Sequence, residues 1–350
     1  MSIYRQNPNY KTKPSLLQRV GTVMFIMLML SGLASAIFLL FFRGYVVDTP
    51  DGPRLELPFL AKDSSSMPVS ANDIPVTIPD EEIPALLEPL HAIQLPDEVI
   101  MESTARSEML KADCNAIVFD MRTEDGCLHY VSDLTLAIDS GASAALPGLN
   151  DAIRNMNATA DLYTIARVSC FPDSQLTETK PELCLHRDSG AVWKDSAQTA
   201  WLSPQRDEVQ SYLFDICQEL SDLGFDEILL TNCAYPTKGT TELAGTSGDT
   251  IDVFSVTLSD FYKEMRSRLE ADGVRLSILW EPSPENDQNK PTSGQTLDEA
   301  LFAADRVWMQ EDDYEKAVDV FSSQGLSYSN FSFVRILSKP GKSVFSWAVL

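Results

Sequence analysis

The stretch SPQRDEVQSYLFDICQELSDLGFDEILLTNCAYP, residues 203–236, decides the fold. Ser203 can cap a helix, Pro204 suits its first turn, and Gly224 stops it. DEILLTN (226–232) then reads as a short buried strand opening into a loop. A strand of this kind aims a side chain into a site. The positions at its mouth are Thr231 and Asn232, neither an acid nor a base at neutral pH.

The same helix–strand texture extends in both directions. Upstream, LHAIQL (90–95), NAIVFD (115–120) and DLYTIARV (161–168) read as strands, with a helix over 97–112 and loop and helix over 131–158. Downstream come a helix over 251–273, the strand RLSILW (275–280), a helix over 296–305, the strand RVWMQ (306–310) and a helix over 312–324. Apolar, non-alternating strands between helices imply a parallel sheet covered on both faces. About 260 residues from residue 89 suit one α/β domain, a (β/α)8 TIM-like barrel. A doubly wound sheet is the alternative, but no G-x-G-x-x-G follows the first strand and there is no P-loop. FSFVRIL (331–337) and SVFSWAVL (343–350), joined through KPGK, read as a hairpin, so the barrel is expected to close irregularly.

Before the barrel the composition changes. Val20–Phe42 is 23 residues without a charge, long enough to cross a bilayer as a helix. Ala34-Ser35-Ala36 resembles a signal-peptidase site, but the apolar run continues past it, which favours an uncleaved signal anchor. Arg5, Lys11, Lys13 and Arg19 precede the span and no acid does, which places residues 1–19 in the cytoplasm and the remainder outside. Residues 43–88 carry seven prolines and the run KDSSS, and suit an extended linker. The whole chain has net charge −24; the exported part, with 22 basic and 51 acidic residues, reaches −29. That surface argues against nucleic acid as a partner. Three scattered histidines argue against a zinc site, and no cofactor motif is present. Six cysteines, all in the exported part, leave disulfides and buried free thiols equally open.

In such barrels function sits at the C-terminal ends of the strands. Those ends deliver Asp120; Arg167, then Asp173; Thr231 and Asn232; Glu281 after Trp280; and Glu311 after Gln310. The loop after the third strand adds Trp193, Asp195 and Trp201. Tryptophan faces stack on sugars, while carboxylates and guanidinium groups hydrogen-bond hydroxyls. Asp120, Glu281 and Glu311 are the candidate catalytic acids. Arg167, Asp173, Trp193, Asp195, Trp201 and Asn232 are the candidate substrate contacts. Each also has a plain structural role open to it: Asp120 and Arg167 as a salt bridge, and the tryptophans as packing for the long loop.

AIVFDMRTEDG, YTIARVSCFPD, VWKD…AWLSP and LGFDEILLTNCAYP, in that order, resemble the bacterial glycoside-hydrolase-like domain, an uncharacterised family of exported TIM barrels. The resemblance spans roughly residues 90–310 and is most specific over 160–236. It implies an acid like Asp120 on strand two, then Ala166-Arg167-Val168 with Phe171 and Asp173, then Trp193, Asp195, Trp201 and Pro204. It also implies an acid and an arginine on strand four, where this chain has Thr231 and Ala234. The expected protein is a membrane-anchored, extracellular barrel that binds carbohydrate at its C-terminal rim without the hydrolytic apparatus. The alternatives are a glycosidase with relocated acids and a cell-envelope protein-interaction module without a sugar ligand.

Overall fold

The computed structural model describes residues 46–49, 52–55, 89–237, 250–285, 291–324, 333–342 and 344–350. The expected anchor at 20–42 lies outside them, as do most of the linker and residues 238–249. Among the described residues no helix is long and apolar enough to cross a membrane. Within the expected linker, Val46–Thr49 and Gly52–Leu55 pair antiparallel, and belong to a unit separate from the barrel.

Eight strands form a closed parallel barrel: β1 (His91–Gln94), β2 (Ala116–Arg122), β3 (Tyr163–Ser169), β4 (Glu227–Thr231), β5 (Arg275–Leu279), β6 (Arg306–Gln310), β7 (Phe333–Ile336) and β8 (Trp347–Val349). The helices are α1 (Glu98–Met101), α2 (Ala105–Lys111), α3 (Thr135–Ser140), α4 (Leu149–Asn157), α5 (Gln175–Thr179), α6 (Asp207–Asp222), α7 (Thr250–Ala271), α8 (Leu297–Ala303) and α9 (Glu311–Gln324).

Three expectations are corrected. The helix over 97–112 is two short ones, because Ser103 between them takes a left-handed φ of 56°. α6 begins at Asp207, after Ser203 and Pro204, and Ser203 does not cap it. The hairpin is not one: β7 and β8 run parallel, Trp347 opposite Arg335, and β8 closes the ring on β1 with Trp347 opposite His91. This crossover spans residues 337–346, close to the lower limit for a parallel connection, and its described residues include no helix.

Strand alternation separates two cores. Ile117, Phe119, Ala166 and Val168 face outward and pack with helix residues such as Leu213 and Phe261. Ala92, Val118, Ile165, Leu229, Trp308, Val334 and Ala348 form a second cluster without helix residues, the filled barrel interior. All six cysteines are free thiols. Burial pushes the Cys217 and Cys233 thiols up to about 12, which keeps them protonated and unreactive.

Candidate functional site

Two residues beyond the interior cluster, each strand turns its next inward side chain toward the C-terminal mouth. Around the barrel this ring reads Gln94, Asp120, Arg167, Thr231, Leu279, Gln310, Ile336 and Leu350. A cavity of about 660 Å³ opens above it, a volume suited to a small ligand. Its floor takes in Arg167, Thr231, Leu279, Gln310, Ile336 and Leu350, and its walls Thr123, Glu124, Ser169, Asn232 and Glu281.

Asp120 lies opposite Arg167 in register. Both its oxygens are engaged: Arg167 Nε donates to Oδ1, and Arg167 Nη2 (2.6 Å) and Gln94 Nε2 (2.8 Å) donate to Oδ2. The strand-two acid is therefore tied to the floor through Arg167. At the mouth of β4, Thr231 faces the cavity and Asn232 takes a φ of 47°. Asn232 Nδ2 donates to Ser169 Oγ (3.0 Å) and to Glu124 Oε1 (3.3 Å), drawing the β2 loop toward β4.

A bulge after Asp120 shifts the register, so that Arg122 aligns with Val168. Its guanidinium is buried. Nη1 donates to the carbonyls of Ser169, Cys170 (3.1 Å) and Pro172 (3.3 Å), and Nη2 donates to Asp173 Oδ2 at 2.5 Å. Asp173 is itself fully buried and accepts from the Leu176 amide at 2.7 Å. Burial raises the Asp173 pKa, and Arg122 opposes that rise. The pair moulds the backbone that follows β3, and Asp173 does not reach the cavity.

Trp193, Asp195 and Trp201 are brought together with one another, away from the cavity lining. Short antiparallel bridges (His186 with Val192, Lys194 with Ala200, Cys184 with Leu202) fold the loop onto itself. Trp193 is its buried core. Asp195 Oδ1 accepts from the Ala197 (2.8 Å) and Thr199 (2.9 Å) amides, and its Oδ2 from Trp201 Nε1 (3.1 Å). Of the three candidate acids, Glu281 lines the cavity, and Asp120 is outside the lining but paired with Arg167, which is part of it. Glu311 is outside the lining and pairs with Arg335 at 3.4 Å. Sequence reasoning did not single out Arg122, Glu124, Ser169 or Gln310. Counting by two along β3 and β6 would have found Ser169 and Gln310; nothing in the sequence marks the bulge that sets Arg122. Among the described residues, no group of three or more His, Cys, Asp or Glu could hold a metal ion.

Fold and cavity thus define a parallel (β/α)8 barrel with a ligand-sized opening at the catalytic end of that architecture. The chain belongs to the DUF4015 family, described as "Putative glycosyl hydrolase domain", whose model matches residues 98–300. Among solved structures it is similar to a hypothetical protein from Ruminiclostridium thermocellum (24% identity, 53% of this chain and 96% of that one, TM-score 0.44). It is similar also to α-L-fucosidase isoenzyme 2 from Paenibacillus thiaminolyticus (10%, 63% and 35%, TM-score 0.46). A third is a GH36 α-galactosidase from Geobacillus stearothermophilus (13%, 75% and 38%, TM-score 0.46). The chain spans little more than a third of each of these two enzymes. No curated protein matches it.

Proposed function

We propose that this chain is a membrane-anchored, extracellular barrel that binds carbohydrate at its C-terminal rim and has lost the hydrolytic apparatus of its family. The observation that carries the reading is the floor of the cavity. β4 presents Thr231, and the ring's one carboxylate, Asp120, is held by Arg167 and Gln94. Glycoside hydrolysis ordinarily needs two carboxylates flanking the bond, and a threonine cannot attack or stabilise an oxocarbenium-like centre as a carboxylate does. What remains suits recognition: the outer edge of Arg167, Asn232, Ser169 and Thr231 offer donors and acceptors to sugar hydroxyls. Asp173, Trp193, Asp195 and Trp201 serve this site by shaping the loop beside it. The apolar run Val20–Phe42 supports the anchor, and the acidic surface supports an exterior without nucleic-acid partners.

A second reading keeps catalysis, with Glu281 as the cavity acid and Asp120 or Glu311 as its partner. Its support is the position of Glu281 in the lining. Full-length protein in non-ionic detergent, tested on an array of bacterial and plant glycans for both binding and release of reducing ends, separates the two. Binding without cleavage, unchanged in Glu281→Gln, is the expected result. Cleavage that disappears in Asp120→Asn or Glu281→Gln establishes the enzyme instead. Neither binding nor cleavage leaves the protein-interaction role.

A further inference from the structure

The ring at the cavity floor is divided. Gln94, Asp120, Arg167 and Thr231, on the adjacent strands β1 to β4, are all polar. On β5, β7 and β8 the same layer is Leu279, Ile336 and Leu350, with Gln310 of β6 between them. Leu337 extends the aliphatic side up the wall. Leu279 and Leu350 are only partly covered by the interior cluster below, and Ile336, a buried member of that cluster, lines the cavity between them, so an aliphatic surface faces the cavity.

A hexose carrying hydroxyls all around its edge fits such a floor poorly. On one arc each hydroxyl finds a donor or acceptor. On the other, a hydroxyl would give up water and gain no partner from a leucine or isoleucine side chain, at a cost of about 1–3 kcal/mol. A methyl group there releases water from both surfaces instead. Resting on the carbohydrate reading above, we infer that the ligand is a sugar with a methyl-terminated substituent, either a 6-deoxy or an N-acetyl group. That substituent lies against Leu279, Ile336 and Leu350, and the sugar's hydroxyl edge faces Arg167 and Thr231.

The test uses matched glycosides with the full-length protein in detergent: methyl α-L-fucoside against methyl α-L-galactoside, and methyl β-N-acetylglucosaminide against methyl β-glucoside. Affinities come from calorimetric titration, and saturation-transfer NMR reports which ligand protons touch the protein. In at least one pair the methyl-bearing sugar should bind about four-fold tighter or more, equivalent to about 0.8 kcal/mol for a buried methyl-sized group. Its C-methyl protons should receive the strongest saturation. The pair that shows the preference identifies the 6-deoxy or the N-acetyl source. Leu279→Asn, nearly isosteric and at a partly buried position of the aliphatic arc, should bring the ratio toward one by weakening the methyl-bearing sugar. Equal or tighter binding of the hydroxyl partner in both pairs overturns the inference and leaves the carbohydrate reading intact. No binding of any of the four also overturns it; the glycan array, run separately, then decides whether the wider reading survives.

Discussion

Arg122→Met probes what builds the site wall. In the wild type both side chains of the Arg122–Asp173 pair are completely buried, with Nη2 2.5 Å from Oδ2. The substitution keeps much of the apolar stem. It removes the charge facing Asp173 and the donor shared by the carbonyls of Ser169, Cys170 and Pro172. Leaving one member of a buried ion pair alone costs about 3–5 kcal/mol. In urea that corresponds to a midpoint lowered by more than about 1 M for slopes near 3 kcal/mol/M. The pH dependence has a definite sign. Burial raises the folded-state pKa of Asp173 above its unfolded value, so its stabilising contribution is fully present below the unfolded pKa and is lost as pH rises through the folded one. Without Arg122 the opposing charge is gone and the folded pKa climbs further. The deficit of Arg122→Met should therefore be largest at pH 7 and shrink at pH 5. Urea unfolding followed by tryptophan fluorescence at both pH values reads this. Arg122→Met with Asp173→Leu should be more stable than Arg122→Met alone, because no charge is then stranded. A cost below about 1 kcal/mol, or a deficit that does not shrink on acidification, refutes the reasoning that this pair organises the wall.

Gly126 has φ +91°, and a Cβ there would stand 2.6 Å from the Asp173 carboxyl, so Gly126→Ala should lower stability by about 2–3 kcal/mol in chemical denaturation. Gly141→Ala, at φ +75° with nothing within 4 Å, should cost only about 1 kcal/mol by the same measurement. His129 pairs with Asp97, and that hydrogen bond raises its pKa. The stability difference between wild type and His129→Gln should therefore be full below the unfolded histidine value and fade as pH rises from 6 to 8, as read by thermal melts. Glu227→Gln should cost about 3–5 kcal/mol by stranding the buried Arg306, yet leave glycan affinity unchanged at conditions where the variant is folded.

The strands that were legible, β1 through β6, are short apolar runs set between helices with clear stops such as Gly224 and Gly273. The last two were also read as strands, but their pairing was misread because KPGK carries the composition of a tight turn, while the pairing that makes β7 and β8 parallel is set by β1, more than 240 residues away in sequence. The site was legible by half. Asp120, Arg167, Thr231 and Asn232 sit where strand ends place them. Trp193 and Trp201 were assigned to sugar stacking and Asp195 to hydroxyl contact on residue type, but in the folded loop Trp193 is buried with its amide on the Leu185 carbonyl, and Asp195 accepts from Trp201. The β2 bulge has no sequence signature here, so Arg122 could not be distinguished from a solvated rim cation.

Both ends of the barrel interior carry an arginine–carboxylate pair, and their difference argues for where function lies. At the N-terminal end, Glu227 accepts from Arg306, from Tyr163 Oη (2.8 Å) and from Ser277 Oγ (2.5 Å), and neither charged side chain exceeds 3% exposure. The carboxylate there is fully engaged by protein donors, and both members of the pair are buried. At the C-terminal end, Arg167 and Asp120 keep 28% and 20% exposure beneath an open cavity. Asp120 is satisfied from below and beside it by Gln94 and Arg167, so what reaches the opening is the outer edge of a guanidinium with its charge already balanced. A balanced guanidinium is a poor anion trap and a poor acid or base. It remains a fixed hydrogen-bond donor for a neutral ligand, which is the chemistry a sugar hydroxyl needs.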